Sequence, residues 1–335
     1  MKVLVTGGSG FIGSHACVVL LQAGHSVFVV DNLSNSSYNI INNLTELTGQ
    51  RLSFIEGDVR DRDFLETILC KNQIEAVFHF AGLKSVNESV SQPLYYYDCN
   101  VGGTIALLRA MATVGVKILV FSSSATVYGE PTSVPVTENC SFGKPANPYG
   151  YSKQVIENIL FDLAKSDSSW RIARLRYFNP VGAHESGLIG EKPNGVPMNL
   201  MPSIVQVALG QREKLLIFGN DYPTPDGTGI RDYVHVMDLV EGHLAALEYL
   251  QKNPGLLTVN LGTGYGVSVL EMVKTFEKVS GCHIPFDIVE RRPGDIAACW
   301  ADPTLADRLI GWRATRNIED MCRDTWRWVS SGNFR

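Results

Sequence analysis

Val3-Leu4-Val5-Thr6-Gly7-Gly8-Ser9-Gly10-Phe11-Ile12-Gly13-Ser14 opens the chain. A β-branched apolar run ends in a glycine turn, and a helical pattern follows at once. Glycines at 7, 10 and 13 let the backbone approach a pyrophosphate at a helix N-terminus, where unpaired N–H groups and the helix dipole favour negative charge. The Gly-x-x-Gly-x-x-Gly spacing is one residue longer in its first interval than the commonest dinucleotide fingerprint. Context adds what a glycine triplet alone lacks: a strand before, a helix after, and Asp31 closing the next strand. A carboxylate there accepts from the adenosine ribose hydroxyls and repels a 2'-phosphate, which favours NAD over NADP. Asp58 ends the third strand, placed for the adenine edge. Phe80-Ala81-Gly82 closes the fourth with small residues that let backbone approach a ligand.

Working outward, short β-branched runs alternate with longer amphipathic stretches. Strands are predicted over Lys2 to Thr6, Ser26 to Asp31, Leu52 to Ile55, Ala76 to Phe80, Lys117 to Ser122 and Ile172 to Tyr177. Helical patterns cover Phe11 to Ala23, Asp61 to Lys71, Pro93 to Val114 and Tyr149 to Lys165. Several strands are apolar almost throughout, as parallel strands covered on both faces are. The fold class is α/β: a doubly wound parallel sheet of Rossmann type with a smaller mixed C-terminal lobe. After Phe178 the chain becomes irregular and rich in Gly, Pro and Asn through about Asp232. The expected division is therefore residues 1–180 for the NAD-binding domain and 181–335 for the second lobe, with some later segments returning to the first. No repeat or low-complexity linker separates them, so the lobes are expected to pack around a cleft.

The chain has 335 residues, 45% of them hydrophobic and 19% charged, which is ordinary soluble globular usage. A formal net charge of -5 gives no reason to expect nucleic acid or an anionic membrane as partner. Seven cysteines are scattered without a Cys-x-x-Cys pair, and histidines show no metal spacing, so no metal is expected. An odd cysteine count in a chain of this size suits a reducing compartment. The N-terminal apolar stretch is too short for a signal-peptide core and no run approaches a membrane span. The expected location is the cytoplasm.

Asn147-Pro148-Tyr149-Gly150-Tyr151-Ser152-Lys153 carries the chemistry. Pro148 suits the first turn of a helix, and Tyr149 and Lys153 at i and i+4 then share one face. A phenol beside an ammonium loses its proton more readily than a free one, which titrates at about pH 10. Ionising it fully at neutral pH requires roughly 4 kcal/mol of differential stabilisation. Such a tyrosine can serve as a base.

With these residues in view, the chain resembles the extended short-chain dehydrogenase/reductases, and within them the epimerases that invert C4 of UDP-hexoses. The matching segments are Val5 to Ser14, His79 to Lys84, Ser122 to Gly129, Arg176 to Ala183 and Arg231 to Asp238. Asn260-Leu261-Gly262 and Arg292-Pro293-Gly294-Asp295 extend the match into the second lobe. The resemblance implies a tightly held NAD that is not exchanged during turnover. A base removes the proton of the sugar 4-hydroxyl while C4 passes hydride to the nicotinamide. The 4-keto sugar then swings on its diphosphate tether and takes hydride back on its other face.

Carried over by position, Tyr149 is the base, Lys153 its electrostatic partner and a ligand of the nicotinamide ribose, and Ser124 a hydrogen-bond partner of the 4-oxygen. Cofactor contacts are implied for Gly7, Gly10, Phe11, Ile12, Gly13, Asp31, Asn32, Asp58, Val59, Phe80, Ala81, Gly82, Lys84, Ser122, Tyr149, Lys153, Tyr177 and Phe178. Substrate contacts are implied for Ser124, Tyr149, Asn179, Asn199, Leu200, Phe218, Arg231, Tyr233, Arg292, Asp295 and Cys299. The side-chain chemistry agrees, since Arg231 and Arg292 suit a diphosphate and Phe218 offers a face for uracil. One position departs from the pattern: Asp98-Cys99-Asn100 stands where the family carries two adjacent asparagines, the first of them a cofactor contact. Cys299, just before Trp300-Ala301-Asp302, lines the hexose pocket in the family. A tyrosine there accompanies restriction to plain hexoses, and a cysteine or serine accompanies acceptance of N-acetylated ones. The family also pairs as homodimers through two long helices, matched here by Pro93 to Val114 and Tyr149 to Lys165.

Other readings stay open at this level. A nucleotide-sugar 4,6-dehydratase or decarboxylase shares the fold, the NAD and the Tyr-x-x-x-Lys pair, but needs an added acid or base where Ala125 and Thr126 follow Ser124. A dehydrogenase releasing NADH needs a second substrate that nothing suggests. A non-catalytic NAD-binding protein on this fold would tend to lose the tyrosine or lysine, and both are present.

Overall fold

The computed structural model describes residues 1–332 except 146, 194, 196, 198 and 293, so Pro293 of the motif above lies outside the described residues. In the first lobe the strands are β1 (Lys2–Thr6), β2 (Ser26–Asp31), β3 (Ser53–Glu56), β4 (Ala76–His79), β5 (Ile118–Ser124) and β6 (Arg171–Tyr177). Then come β7 (Asn179–Val181), β8 (Leu215–Phe218), β9 (Ile230–Arg231), β10 (Tyr233–His235), β11 (Gly255–Leu261), β12 (Val267–Ser268), β13 (Phe286–Val289) and β14 (Ala298–Cys299). The helices of the first lobe are α1 (Phe11–Gln22), α2 (Asn39–Thr48), α3 (Arg62–Lys71), α4 (Val86–Ser91), α5 (Pro93–Tyr96), α6 (Gly103–Val114) and α7 (Pro148–Ser166). They are followed by α8 (Leu200–Ala208), α9 (Val236–Lys252), α10 (Val269–Ser280), α11 (Thr304–Ile310) and α12 (Ile318–Ser330).

Seven strands form one parallel sheet in the order β11-β6-β5-β4-β1-β2-β3. This is the doubly wound arrangement that the strand–helix alternation predicts. One face is covered by α1 and α9, whose buried Val18, Leu20, Leu239 and Leu247 join Val3, Val5 and Val29 of the sheet in one core. The other is covered by α3, α6 and α7, through Leu65, Leu69, Leu107, Met111 and Leu160 against Leu4, Val77 and Leu119. Burying each such leucine contributes about 1.5–3 kcal/mol, so the faces hold the sheet's edges firmly in place.

Local chemistry fixes the ends. Asp61 caps α3 by accepting from the Phe64 N–H, and Asn147 caps α7 by accepting from Gly150 N at 2.9 Å, with Pro148 at the first position. The predicted helix from Pro93 to Val114 is interrupted. A π-helical turn, Tyr97–Gly102, sits between α5 and α6. β5 runs two residues further than predicted because Ser123 and Ser124 pair with Arg176 and Tyr177. β4 stops at His79, and both Phe80 and Ala81 then turn their N–H groups onto the Thr6 carbonyl at 3.0 Å.

The chain after Tyr177 builds the second lobe on Val181, Met201, Ile204, Phe276 and Trp328. Between residues 236 and 261 it returns: α9 packs on the main sheet, and β11 adds a seventh strand beside β6. Small sheets β10-β7, β12-β9-β14 and β13-β8 complete the second lobe.

Candidate active site

Residues singled out in the sequence gather at the C-terminal ends of the parallel strands, where doubly wound sheets bind ligands. Gly7 follows β1, Asp31 ends β2, Asp58 follows β3, Phe80 to Gly82 follow β4, Ser122 to Ser124 end β5 and Tyr177 ends β6. The glycine turn tolerates no side chain at two points. A Cβ on Gly13 would stand 2.2 Å from the Gly7 carbonyl oxygen, and one on Gly7 would stand 2.7 Å from Ala81 N with φ at +71°. Phe11 and Ile12 begin α1 immediately after Gly10. Asp31 is buried and braces the loops around it, accepting from Ser9 N at 3.0 Å, Leu33 N at 2.9 Å and the Ser36 hydroxyl at 3.0 Å. These features fit a dinucleotide: a backbone cradle for pyrophosphate and an acceptor at the ribose position.

At the adenine end, Asn32 Nδ2 donates to Asp58 at 3.2 Å and Arg60 grips the same carboxylate through Nε and Nη2 at 3.0 and 2.8 Å. The Arg60 hydrogen bonds pull the Asp58 carboxyl down to about 2. Arg60 also reaches Asp98 at 2.7 Å, on the π-helical turn that carries Cys99. Val59 lies against Gly103, where a Cβ would meet it at 2.9 Å. Burial raises the Cys99 thiol pKa, and the Arg60 charge opposes it. Asn100 supports the neighbouring loop instead. Its side chain accepts from Leu83 N at 2.8 Å and donates to Leu83 O at 3.0 Å, strapping the turn after Gly82.

Three consecutive serines end β5 and each does something different. The Ser122 carbonyl accepts from Lys153 Nζ at 2.9 Å, while its hydroxyl pairs with His243 Nε2 at 2.9 Å. The Ser123 hydroxyl donates to Glu157 at 2.5 Å. The Ser124 hydroxyl accepts from Thr126 N at 3.2 Å. Tyr149 and Lys153 are both buried on α7, and the Lys153 ammonium lies 4.8 Å from the Phe121 ring centroid. Burial raises the Tyr149 pKa, and the Ser124 hydrogen bond and the Lys84 charge pull it partly back. Burial draws Lys153 down to about 8, with Glu157 opposing. The Lys153 ammonium lies 6.0 Å from the Tyr149 ring centroid, and Lys84 is a second cation acting on that hydroxyl. The Tyr177 phenol is pushed up by burial.

On the second lobe, Arg231 and Cys299 are register partners in the parallel pair β9 and β14. The Arg231 guanidinium is held by the Ile230 and Ile296 carbonyls at 2.9 Å and lies 3.9 Å from Asp295. Buried Cys299 shares a small core with Phe178, Val127 and Tyr128, next to Ser124 in the chain. The Arg292 guanidinium stacks 3.8 Å from the Phe218 ring centroid, so the two form a joint flat surface. Asn179 begins β7, exposed, and Asn199 and Leu200 open α8. The Tyr233 ring belongs to the buried core of the second lobe.

Sequence reading passed over Asp232, which joins these pieces. Its carboxylate accepts from Thr263 N and Oγ1 at 2.8 and 2.7 Å, and from Gly264 N and Ala301 N at 3.1 Å. Its backbone accepts from Asn179 N at 2.9 Å and donates to the Cys299 carbonyl at 3.1 Å. The signal was present in its place between Arg231 and Tyr233, but an aspartate there reads equally well as a turn residue.

Residues 4–325 match the family model described as GDP-mannose 4,6 dehydratase. The chain is 57% identical to a UDP-glucose 4-epimerase of Bacillus subtilis over 99% of its length and 97% of that protein. Its fold superposes with a TM-score of 0.97 on the UDP-glucose-4-epimerase of Stenotrophomonas maltophila, crystallised with NAD and formylated UDP-arabinopyranose. That match is 52% identical and covers 99% and 98% of the two chains. The Bifidobacterium longum UDP-glucose 4-epimerase, crystallised with NAD+ and UDP, gives a TM-score of 0.96 at 48% identity over 100% and 99%.

Proposed function

The chain therefore belongs to the UDP-glucose 4-epimerase family, and we propose that it interconverts UDP-glucose and UDP-galactose with a resident NAD. The observation that carries this reading is the placement of buried Tyr149 and Lys153 one helical turn apart on α7, beside Ser124 at the end of β5 and the glycine cradle. When bound, the nicotinamide supplies reversible hydride acceptance at the sugar C4. Tyr149 takes the proton of the 4-hydroxyl and returns it, and Ser124 holds the oxygen in line. Lys153 and Lys84 stabilise the phenolate that this requires, against the burial that disfavours it. Arg231 and Arg292 hold the diphosphate and Phe218 carries the uracil, so the hexose can turn while its anchor stays fixed. The 4,6-dehydratase reading is weaker because Ala125 and Thr126 offer no carboxylate beside Ser124.

A second activity on UDP-N-acetylglucosamine and UDP-N-acetylgalactosamine is supported by Cys299. It stands beside Arg231 in register and leaves a pocket position smaller by a phenol ring than tyrosine would. The proposed protein is a cytoplasmic homodimer. Its cysteines among the described residues are all free thiols, as a reducing compartment keeps them. No helix among the described residues is long and apolar enough to cross a membrane. Val90, Leu94, Tyr151 and Phe161 are half or more exposed on α4, α5 and α7, an apolar surface suited to a second copy. The pairing surface is then built from these short helices and α7, whereas α6 spends its apolar side on the sheet.

Incubation of the purified protein with UDP-galactose, without added NAD, tests the reading. UDP-glucose should accumulate to equilibrium. Accumulation of NADH or of a 4-keto-6-deoxy sugar would overturn it.

A further inference from the structure

Glu157 lies on α7 one turn beyond Lys153, which itself lies one turn beyond Tyr149, so the three share a helical face. It is completely buried, a place where a carboxylate persists only when fully partnered. Its partners come from two strands. From β5, the Ser123 hydroxyl donates at 2.5 Å. From β6, Arg176 donates through Nη2 at 2.6 Å and through Nε at 3.0 and 3.2 Å, and Arg174 stands at 3.5 Å. Arg176 extends the network to the Tyr128 hydroxyl at 3.1 Å, and Tyr128 donates to Asn260 at 2.6 Å. Asn260 N in turn donates to Glu138 at 2.6 Å. Nothing in the reaction itself uses these groups. Yet Ser123 sits between Ser122, whose carbonyl holds Lys153, and Ser124, the proposed partner of Tyr149.

We infer that Glu157 is a positioning residue for the proton-transfer pair: through Ser123 and Arg176 it pins α7, which carries Tyr149 and Lys153, to the strand end that carries Ser124. Ser123 and Ser124 are adjacent on β5, so a bond from Ser123 to α7 sets the spacing from Ser124 to Tyr149 on the same helix. A helix sliding by a fraction of an ångström would change that spacing, and proton transfer depends on such distances. Lys153 faces the Phe121 ring, the Tyr149 ring on its own helix and a neutral His79 on β4. Burial alone would strip its proton, and Glu157 is the carboxylate that opposes this. Arg174 and Arg176 offset part of that field, and Lys84, paired with Glu191, acts on Tyr149. Removing the Glu157 charge unmasks both arginines and weakens the hold of Lys153 on its proton.

The inference rests on the roles proposed for Tyr149 and Lys153, and its test separates the two. The NAD-loaded protein, labelled with 13C at lysine Cε, is titrated by NMR, the Lys153 resonance being identified by its loss in Lys153→Met. In Glu157→Gln, which keeps the shape, the Lys153 midpoint should fall by about one pH unit, a roughly tenfold loss of proton affinity. In Arg174→Gln, which removes a cation and keeps Glu157, the midpoint should rise. The alkaline limb of UDP-galactose turnover should move in the same two directions with KM unchanged. Should Glu157→Gln not fold, the rise in Arg174→Gln decides alone. Shifts of the same sign in both variants, or no rise in Arg174→Gln, would overturn the inference and leave Glu157 a packing residue. A wild type that titrates as described but does not convert UDP-galactose overturns the epimerase reading instead.

Discussion

Lys84 Nζ and Glu191 Oε1 meet at 2.8 Å, joining the turn after β4 to the segment that follows β7. The pair therefore links the lobe with the glycine cradle to the stretch leading into Asn199 and Leu200. Lys84 is also the ammonium whose field reaches the Tyr149 hydroxyl, while Lys153 is engaged with the Ser122 carbonyl. One cation thus ties the turn after β4 to the second lobe and acts on the Tyr149 hydroxyl. Burial still wins at Tyr149, so the phenol is protonated until further positive charge arrives beside it.

Replacing Lys84 by Met should make the base harder to ionise. A cation favours the phenolate, so its loss raises the tyrosine pKa and moves the acid limb of the kcat profile to higher pH. Because Lys84 is half-exposed, solvent screens it, and the expected displacement is about one pH unit. The variant should be about tenfold slow at neutral pH and recover as the pH rises. A uniform loss at every pH would show that Lys84 acts on binding alone.

Tyr149→Phe removes the proton acceptor and nothing from the cradle. Turnover should drop by about 10²–10⁴-fold, the usual worth of a positioned acid or base. NAD should remain bound, since Gly7, Gly13 and Asp31 are untouched. Activity and the cofactor retained after gel filtration check both halves, and near-normal turnover would remove Tyr149 from the chemistry.

What the sequence could disclose follows from how local each signal is. Tyr149 and Lys153 were legible because helical spacing alone puts them on one face, and Asn147-Pro148 marks where the helix begins. Asp31 was legible because a strand end next to a glycine turn has few other uses for a carboxylate. Glu157 was not, since a glutamate in mid-helix reads as solvent-facing until two arginines of β6 are seen opposite it. β11 was missed for a related reason. Its pairing with β6 joins residues some eighty positions apart, and the irregular stretch between them carries no periodicity to announce the return. The π-helical turn at Tyr97–Gly102 has the composition of ordinary helix, and only its backbone geometry distinguishes it.

Acid should unfold the protein through its histidines. Burial lowers His15 and His79 to about 3 and His243 to about 4, from 6.5 in the unfolded chain. His79 is held between Thr6 and Thr104, and His243 between Ser122 and the Leu239 carbonyl. Below pH 6.5 the unfolded chain takes up these protons and the folded one does not, so stability falls as pH drops from 6.5 toward 3. At pH 5 each histidine should cost on the order of 1–2 kcal/mol. Urea midpoints at neutral and mildly acid pH report this directly, and an unchanged midpoint would contradict it.

The exposed apolar stripe predicts association. Leu94 is 82% exposed and Phe161 50%, far more than isolated side chains of that size need to be. Placing charge there, as Leu94→Glu with Phe161→Glu, should convert a dimer to a monomer without unfolding it, because neither side chain belongs to a core. Light scattering at micromolar concentration measures the mass. A wild type that is already monomeric would end the proposal.

The proposed acceptance of N-acetylated sugars rests on Cys299. Its side chain lies in register with Arg231, the proposed diphosphate ligand, and its carbonyl is held by Asp232 N at 3.1 Å. The position is therefore fixed by backbone bonds and cannot swing aside. A thiol there leaves room for a 2-acetamido group to sweep past as the keto sugar rotates, and a phenol would fill that room. Cys299→Tyr should leave kcat/KM for UDP-galactose within a fewfold and cut it for UDP-N-acetylgalactosamine by about a hundredfold or more, since one ill-fitting group in a closed pocket costs about 3 kcal/mol. The thiol, buried and raised to about 11, stays protonated throughout the working pH range, so the difference between the variants is one of volume and not of charge. Equal use of both sugars by the tyrosine variant would show that the hexose turns elsewhere, and a wild type that ignores UDP-N-acetylgalactosamine would show that something other than residue 299 closes the pocket.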